Sequence, residues 1–225
     1  MLTFRDRRDA GRRLATRLAG YAAEPDVLVL ALPRGGVPVA AEIARVLGAE
    51  LDVFLVRKLG VPGYPELAFG AIASDGVRVL NDDVVSTMRV TPEAIEAVTS
   101  AERQTLERRE REYRGDRPRP DIQGRTVILV DDGLATGATM RAAIEVVRRQ
   151  QPRRIVVAVP VAPPETCREL AAQVDEMVCL LTPAAFFGVS AWYDDFSQTT
   201  DFEVRELLES AAKDVRRKTQ EPRDR

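Results

Sequence analysis

The chain has 225 residues, of which 45% are apolar, and this is enough to bury a full core in a single domain. Its 33 Lys and Arg residues nearly balance its 35 Asp and Glu residues, which argues against a nucleic-acid partner or an anionic membrane surface. The sequence lacks histidine, and this excludes Ser-His-Asp and Cys-His triads as well as histidine-based zinc sites.

The N-terminal third of the chain predicts one helix and several short strands. Arg5 to Gly20 carries two leucines four positions apart among many arginines, which is typical of an exposed helix with a narrow apolar stripe. Val27 to Leu30 predicts a strand, and apolar residues at helical spacing follow it. Leu51 to Val56 predicts a second strand. Leu67 to Leu80 predicts two strands, joined by an Asp-Gly hairpin turn at Ser74 to Gly76.

The middle of the chain combines irregular stretches with one long helix. Gly60 to Pro65 is rich in Gly and Pro, so we expect a mobile loop there, inside a flexible loop or hairpin that spans about residues 58–82. Thr91-Pro92 is suited to begin a helix that continues to Arg114, and its charge-rich second half predicts a solvated surface. A linker is expected from Asp116 to Gly124.

The second half of the chain alternates apolar strands with helices. This alternation predicts a Rossmann-like α/β fold, in which a mostly parallel sheet is flanked by helices. The predicted elements are strand Thr126 to Val130, helix Gly137 to Gln150, strand Ile155 to Val159, helix Pro164 to Gln173 and strand Met177 to Leu181. Thr200 to Glu203 fits a capping box for a last helix, and residues 218–225 are expected to form a frayed tail of this single domain, 1–225.

Neither a membrane span nor a redox site is expected. The longest apolar stretch, Val27 to Leu32, is too short to cross a bilayer, and the N-terminus is charged where a signal peptide would be apolar. We therefore expect a cytoplasmic protein. Cys167 and Cys179 lack metal-type spacing and are expected to be ordinary reduced cysteines.

The stretch from Val127 to Thr139 is the most informative part of the sequence. A buried strand brings two adjacent carboxylates, Asp131 and Asp132, to its C-terminal end, where parallel α/β sheets bind ligands. The helix that begins near Gly137 offers backbone N–H groups and the positive end of its dipole to a phosphate. Because two carboxylates cannot contact the same phosphate favourably, we expect them to face a sugar diol or a bound Mg2+.

Other anion-binding loops fit this stretch less well. A Walker loop requires a lysine and a dinucleotide fingerprint requires three spaced glycines, and both features are missing from it. An acidic pair at a strand end also occurs in phosphate-accepting receiver domains, but those do not need the Thr-Gly-Ala-Thr sequence that follows here. A tight turn with solvated aspartates stays open as the purely structural alternative, although adjacent carboxylates repel each other unless something compensates them.

The same stretch resembles the motif with which type I phosphoribosyltransferases bind 5-phosphoribosyl-1-pyrophosphate (PRPP). The resemblance implies that Asp131 and Asp132 hold the two ribose hydroxyls, with Mg2+ held mainly through those hydroxyls or water. Leu32 to Gly36 is similar to the family's pyrophosphate loop, in which a cis peptide bond often enters the basic residue, here Arg34. The residues implied in binding PRPP are Arg34, Gly35, Gly36, Asp131, Asp132, Gly133, Ala135, Thr136, Gly137, Ala138 and Thr139.

Further candidates lie at the end of the second predicted strand and in the loop after it. Arg57 and Lys58 are candidates for binding PRPP, with Lys58 on the pyrophosphate, and a solvated strand-end charge is the alternative for each. Gly60 to Ala73 is a candidate lid, and its Glu66 is a candidate for assisting the transfer, although an ordinary surface loop would also explain it. The candidate catalytic residues are therefore Asp131, Asp132, Lys58 and Glu66.

The resemblance also implies a small hood that reads the acceptor, at about residues 182–202. This segment is rich in aromatic side chains. Trp192 and Tyr193 are candidates for stacking on a planar acceptor. The alternative is that these aromatic rings simply pack the last helix against the core.

The resemblance implies an enzyme that binds PRPP and Mg2+, transfers the phosphoribosyl group and releases pyrophosphate. The acceptor is expected to be a nucleobase or another nitrogen nucleophile, and the sequence does not identify it. Two alternatives stay open, namely a PRPP-sensing regulator without turnover and a hydrolase or phosphorylase that acts on a nucleotide-like ligand. The family is often dimeric, so a homodimer is a further open expectation.

Overall fold

The fold consists of eight strands and seven α-helices within residues 3–220, which are the residues that the computed structural model describes. The strands are β1 (Val27–Ala31), β2 (Glu50–Val53), β3 (Val56–Val61), β4 (Tyr64–Ala73), β5 (Arg78–Leu80), β6 (Thr126–Val130), β7 (Arg154–Val161) and β8 (Glu176–Leu181). The helices are α1 (Arg7–Arg17), α2 (Gly36–Leu47), α3 (Asp82–Thr87), α4 (Pro92–Arg114), α5 (Ala138–Arg149), α6 (Pro164–Ala171) and α7 (Asp201–Gln220).

The central sheet has five parallel strands in the order β2-β1-β6-β7-β8. It confirms the predicted mostly parallel sheet flanked by helices. All residues of β1 and β6 are buried, as expected of apolar strands that are covered on both faces. The strand order reverses between β1 and β6, because β2 lies on one side of β1 and the later strands lie on the other. The loops after β1 and β6 therefore open into one crevice, where sheets of this kind bind ligands.

The chain leaves the central sheet after β2 and forms a separate antiparallel sheet, β3-β4-β5. The predicted strand from Leu51 to Val56 is therefore divided in two. Phe54 still donates its backbone N–H to Ala31 in the central sheet (2.8 Å), whereas the carbonyl oxygen of Leu55 already accepts from Ser74 beside the second sheet (3.1 Å). The sequence is apolar without interruption from Val53 to Val56, so it did not reveal the change of partner.

The Gly and Pro rich stretch from Gly60 to Pro65 lies in a hairpin, which is one of the two forms expected for residues 58–82. β3 and β4 occupy most of it, so that only Pro62 and Gly63 form the turn, with Gly63 at φ 83°. The pairing is irregular on both sides of Gly60, where a Cβ atom would lie 2.7 Å from the carbonyl oxygen of Pro65. This close approach of two backbones explains the glycine at position 60.

The long helix α4 begins as predicted, because the Thr91 hydroxyl accepts a hydrogen bond from the backbone N–H of Ala94 (3.3 Å). The predicted solvation of its second half holds for most of its residues, which are exposed, but one face of this half is buried. Arg114 is buried and its Nη2 lies 3.0 Å from Oδ2 of Asp52 on β2, and Arg114 also pairs with Glu110 one turn earlier. The alternating charges therefore include a buried ion-pair network. The buried residues of this half are Leu106, Glu110, Tyr113 and Arg114.

The N-terminal segment pairs with residues near the other end of the chain. The backbone N–H of Phe4 donates to the carbonyl oxygen of Trp192 (2.9 Å), and that of Asp195 donates to Arg5 (2.9 Å). The segment predicted as a hood is thus joined by the residues before α1. Nothing in the sequence indicated this pairing, because backbone hydrogen bonds between distant segments leave no local pattern.

The remaining helix predictions concern the C-terminal helix and a short helix after β5. The cap of α7 is confirmed, since the backbone N–H of Glu203 donates to the Thr200 hydroxyl (3.1 Å). α7 continues to Gln220, and residues 221–225 of the predicted tail lie outside the described residues. Helix α3 was not predicted, because its six residues are too few for a periodic signal.

Within residues 3–220, no helix has the length and the apolar character that crossing a membrane requires.

Candidate active site

The loops that follow β1 and β6 are distant in sequence but lie in direct contact. A Cβ atom at Gly35 would lie 1.9 Å from Oδ2 of Asp132, and one at Gly36 would lie 2.7 Å from the carbonyl oxygen of Val130. Both positions need glycine, because the backbone of one loop touches the other loop. The structure thus brings together the two loops that the sequence singled out.

The first of these loops has the backbone that the resemblance implied. The peptide bond between Pro33 and Arg34 is cis. The N–H of Gly36 already donates to the carbonyl oxygen of Leu32 (3.1 Å), within the turn that opens α2. Gly36, one of the residues implied in binding PRPP, therefore has its N–H engaged within its own loop.

Asp131 and Asp132 occupy a partly buried position at the end of β6. Oδ1 of Asp131 accepts a hydrogen bond from the backbone N–H of Asp132 (2.8 Å). Burial raises the pKa of Asp131 well above its ordinary value, and the neighbouring Asp132 carboxylate raises it further. Burial also raises the pKa of Asp132, although the nearby Arg7 opposes this shift. Carboxyl groups held in this way are suited to accepting hydrogen bonds from a diol.

Arg7, the first residue of α1, is the counter-ion that sequence reasoning missed. Its Nε lies 2.8 Å from Oδ2 of Asp132, and the two side chains are only 11% and 14% exposed. Its Nη1 donates to the carbonyl oxygen of Ser197 (2.6 Å), and its guanidinium carbon lies 3.9 Å from the centre of the Phe196 ring. Arg7 is one of several arginines in a helix that looks solvated, so no local signal distinguished it.

The segment from Ala135 to Thr139 leads into α5 as predicted. Gly137 precedes the helix with φ 70°, and a Cβ atom there would lie 2.8 Å from Cγ2 of Thr166. The Thr166 hydroxyl donates to the carbonyl oxygen of Ala135 (2.9 Å), so α6 supports the loop. The hydroxyl oxygen of Thr136 accepts from the backbone N–H of Ala138 at 3.4 Å. The first-turn N–H groups and the threonine hydroxyls form a site suited to a phosphate.

A cleft of about 490 Å³ lies beside these two loops. Lys58 and Glu66 of the antiparallel sheet line it together with Pro33 and Thr139. The structure therefore brings both candidate catalytic residues to this cleft, Lys58 from β3 and the predicted lid residue Glu66 from β4.

Two of the predicted basic residues are paired with carboxylates from the helices around the site. Nε of Arg57 lies 2.7 Å from Oε2 of Glu102 on α4. Nη1 of Arg34 lies 3.6 Å from Oδ2 of Asp201 on α7, beside a second cleft of about 420 Å³. Arg109 of α4 lines both clefts. These pairs are partly exposed and contribute little net stability, so an anionic ligand can replace the carboxylates.

The hood aromatics Trp192 and Tyr193 are packed and do not offer an open ring face. They are 9% and 7% exposed and lie in a cluster with Phe4 of the N-terminal segment. The Tyr193 hydroxyl donates to the backbone carbonyl oxygen of Asp132 (2.6 Å). Their burial argues against the predicted stacking on an acceptor, and the rings pack the N-terminus rather than the last helix. Tyr193 instead ties the hood to the acidic pair.

The carboxylate pair suits Mg2+ only together with a ligand. Among the described residues, no group of three or more Cys, Asp and Glu side chains could hold a metal ion by itself. Asp132 already has Arg7 on one of its oxygens. Mg2+ retains several waters and commonly binds one or two carboxylates together with substrate phosphates. The residues therefore fit an ion that would arrive with a phosphorylated ligand.

Comparison with known proteins finds relatives over most of the chain. The family model described as the phosphoribosyl transferase domain matches residues 4–195. Two curated relatives, from two strains of Mycobacterium tuberculosis and each described provisionally as a phosphoribosyl transferase, are 51% identical over 214 residues, or 95% of this chain and 48% of each relative. The chain thus spans about half the length of these relatives. The crystal structure of TT1426 from Thermus thermophilus is 48% identical, with a TM-score of 0.84, and the match covers 92% of this chain and 98% of that chain.

Proposed function

The chain belongs to the phosphoribosyl transferase domain family, and on this premise we propose that it binds PRPP with Mg2+ and transfers the phosphoribosyl group to an acceptor, releasing pyrophosphate. One observation carries the proposal, namely the contact of Gly35 and Gly36 with the end of β6 and its acidic pair. PRPP has a diol next to the carbon that bears its pyrophosphate. A ligand of this shape would contact both loops at once.

In the proposed complex the ribose diol faces Asp131 and Asp132, and the 5-phosphate meets the first turn of α5. A helix N-terminus stabilises a bound anion by about 0.3–1 kcal/mol, and by up to about 2 kcal/mol in a partly buried position. The pyrophosphate meets the backbone N–H of Gly35 and the side chain of Arg34. Arg34 releases Asp201, which lies 3.6 Å from its Nη1, and its planar guanidinium binds phosphate oxygens instead.

The reaction breaks the bond between C1 of the ribose and a pyrophosphate oxygen, and it forms a bond from C1 to the acceptor. Positive charge develops on the ribose ring and negative charge on the pyrophosphate. Lys58 and Arg34 add fixed positive charge on the side of the pyrophosphate, and neutralisation of its charge is the chemistry that Mg2+ would supply there when bound. The acidic pair holds the ring through its hydroxyls, and the walls of the cleft limit the access of water.

Gly35→Ala is expected to weaken PRPP binding by roughly 10- to 100-fold, the equivalent of one hydrogen bond to a charged group. The added methyl group would occupy the position of the Asp132 carboxylate, which Arg7 holds in place. Titration calorimetry with PRPP and Mg2+ measures the change. Gly20→Ala is the matched control, because a Cβ atom there meets nothing within 4 Å. Equal affinities in the two variants would contradict the proposed contact.

Glu66→Gln is expected to lower turnover while leaving PRPP affinity nearly unchanged. We propose that the Glu66 carboxylate, in the cleft beside Lys58, takes the proton that the acceptor loses. General-base catalysis of this kind contributes roughly 100- to 10,000-fold. Steady-state rates of pyrophosphate release measure the effect, and Glu145→Gln on the exposed side of α5 is the control. Unchanged turnover in Glu66→Gln would remove Glu66 from the mechanism.

Pyrophosphate release from PRPP and Mg2+, measured with a panel of nucleobases and other nitrogen nucleophiles, tests the proposed function. Release that requires one class of acceptor supports phosphoribosyl transfer. PRPP binding without release in the presence of any acceptor would favour a PRPP-sensing regulator. Cleavage of a nucleotide ligand without pyrophosphate release would favour a hydrolase or phosphorylase. A protein that does not bind PRPP at all would contradict the proposal.

A further inference from the structure

We propose that Arg7 is a substrate-positioning residue, which fixes the Asp132 carboxylate for the ribose and holds the hood segment of Phe196 and Ser197 over the site. The inference rests on the proposed function, because the ribose is the ligand for which Asp132 would be positioned. Arg7 acts through Asp132 and the hood, and it has no assigned contact with the reacting atoms.

The first support is that one guanidinium makes three different contacts. Its Nε is bonded to Oδ2 of Asp132 at 2.8 Å, its Nη1 donates to the carbonyl oxygen of Ser197 at 2.6 Å, and its guanidinium carbon lies 3.9 Å from the centre of the Phe196 ring. Only a planar, forked cation can satisfy a carboxylate, a carbonyl group and an aromatic face together. The contacts orient Asp132 and the hood relative to each other.

The second support is the position of Arg7 relative to the two loops. A Cβ atom at Gly35 would lie 3.2 Å from its Nε, so Arg7 touches the first loop as well as the acidic pair. Arg7 engages one carboxylate oxygen of Asp132, and a carboxylate can accept about four hydrogen bonds, which leaves capacity for a ribose hydroxyl. The Tyr193 hydroxyl holds the backbone carbonyl oxygen of the same residue at 2.6 Å. Asp132 is therefore restrained at both its side chain and its backbone.

The third support is the difference between Arg7 and its neighbours on α1. Arg12 and Arg13 are themselves 40% and 41% exposed and pair with Glu42 and Asp9. The Arg7 side chain is only 11% exposed. An ion pair that is buried to this degree gives little net stability, because the desolvation of both charges offsets their attraction. The pair lies at the end of β6 beside Asp131, and this position assigns it to the ligand site.

The test compares a ligand that has the ribose diol with one that lacks a hydroxyl of the diol and with one that lacks the sugar. The affinities of ribose 5-phosphate, 2-deoxyribose 5-phosphate and inorganic pyrophosphate are measured by calorimetry for the wild-type protein, for Arg7→Ala and for the control Arg12→Ala. We expect the wild type and the control to prefer ribose 5-phosphate over its deoxy form by roughly 10-fold, the equivalent of one hydrogen bond to a charged group. Arg7→Ala should lose this preference and keep its affinity for pyrophosphate. A purely structural role would weaken all three ligands equally.

The outcomes separate this inference from the proposed function. A preserved diol preference in Arg7→Ala, or an equal loss for all three ligands, would overturn the role of Arg7. Absence of PRPP binding by the wild type would overturn the proposed function and this inference with it. Arg7→Lys provides the second variant should the alanine variant melt at a lower temperature. It should retain part of the diol preference, since an ammonium can pair with Asp132 but cannot also reach Ser197.

Discussion

Asp131→Asn combined with Asp132→Asn is expected to abolish PRPP binding, with a loss of roughly 100-fold or more, while the protein keeps its fold. Each carboxylate is proposed to accept a hydrogen bond from a ribose hydroxyl, and a hydrogen bond to a charged group contributes about 1.5–3 kcal/mol. Losing both corresponds to about 3–6 kcal/mol, and each 1.4 kcal/mol is about a factor of ten in affinity. Calorimetry with PRPP and Mg2+ measures the loss, and unchanged affinity would contradict the proposed site.

The fold should survive this double substitution because the ionised carboxylates lower the stability of the folded protein. Burial raises the pKa of Asp131 well above its ordinary value, so the unfolded chain releases this proton at a lower pH than the folded protein does. Ionisation therefore costs stability at neutral pH, and the cost disappears below the ordinary pKa. The amide oxygen at position 132 can still accept from Arg7. A melting temperature at or above that of the wild type at neutral pH is the expected control result.

Arg114→Met is expected to lower the free energy of unfolding by about 3–5 kcal/mol, the usual effect of removing one partner from a buried ion pair. The side chains of Arg114 and Asp52 are 6% and 9% exposed, and the loss of the guanidinium leaves Asp52 without its counter-ion. Glu110, the second partner of Arg114, keeps its contact with Arg119. For a chain of this size, the melting temperature should fall by about 6–20 °C.

The pH dependence of this loss provides an internal check. Burial raises the pKa of Asp52, and Arg114 opposes that rise. Without Arg114 the carboxyl group should take up a proton more readily, so the destabilisation should be smaller at acidic pH than at neutral pH. Urea unfolding at both pH values measures this, with Arg108→Met on the exposed part of the same helix as the control. A variant as stable as the wild type would show that the network does not support the fold.

The central sheet and its two loops were predictable because their signals are local. The strand from Thr126 to Val130 has the predicted bounds, since a run of branched apolar residues is followed at once by two aspartates and a glycine. The helix after it is bounded by Gly137, whose φ of 70° suits the start of α5. Asp131 and Asp132 follow directly from this strand, so the position of the acidic pair in the fold could be read from the sequence.

The missed features depend on partners that are distant in sequence. Arg7 and Arg114 both look like solvated charges in arginine-rich helices, and only the three-dimensional fold brings each to a buried aspartate. The aromatic residues Trp192 and Tyr193 were recognised as a cluster, but their partner Phe4 lies at the other end of the chain. Glycine and proline near position 60 have the composition of a loop, and the hairpin forms because backbone pairing decides the structure there.

The hydrogen bond from Arg7 to Ser197 joins positions 190 residues apart. During synthesis Arg7 leaves the ribosome early, whereas its acceptor emerges only after β8. Strands β1 and β6 can pair well before that point, since both are made in the first two thirds of the described chain. A nascent chain can therefore contain paired β1 and β6 strands while Asp131 and Asp132 are still uncovered. The hood residues Phe196 and Ser197 cover this site last.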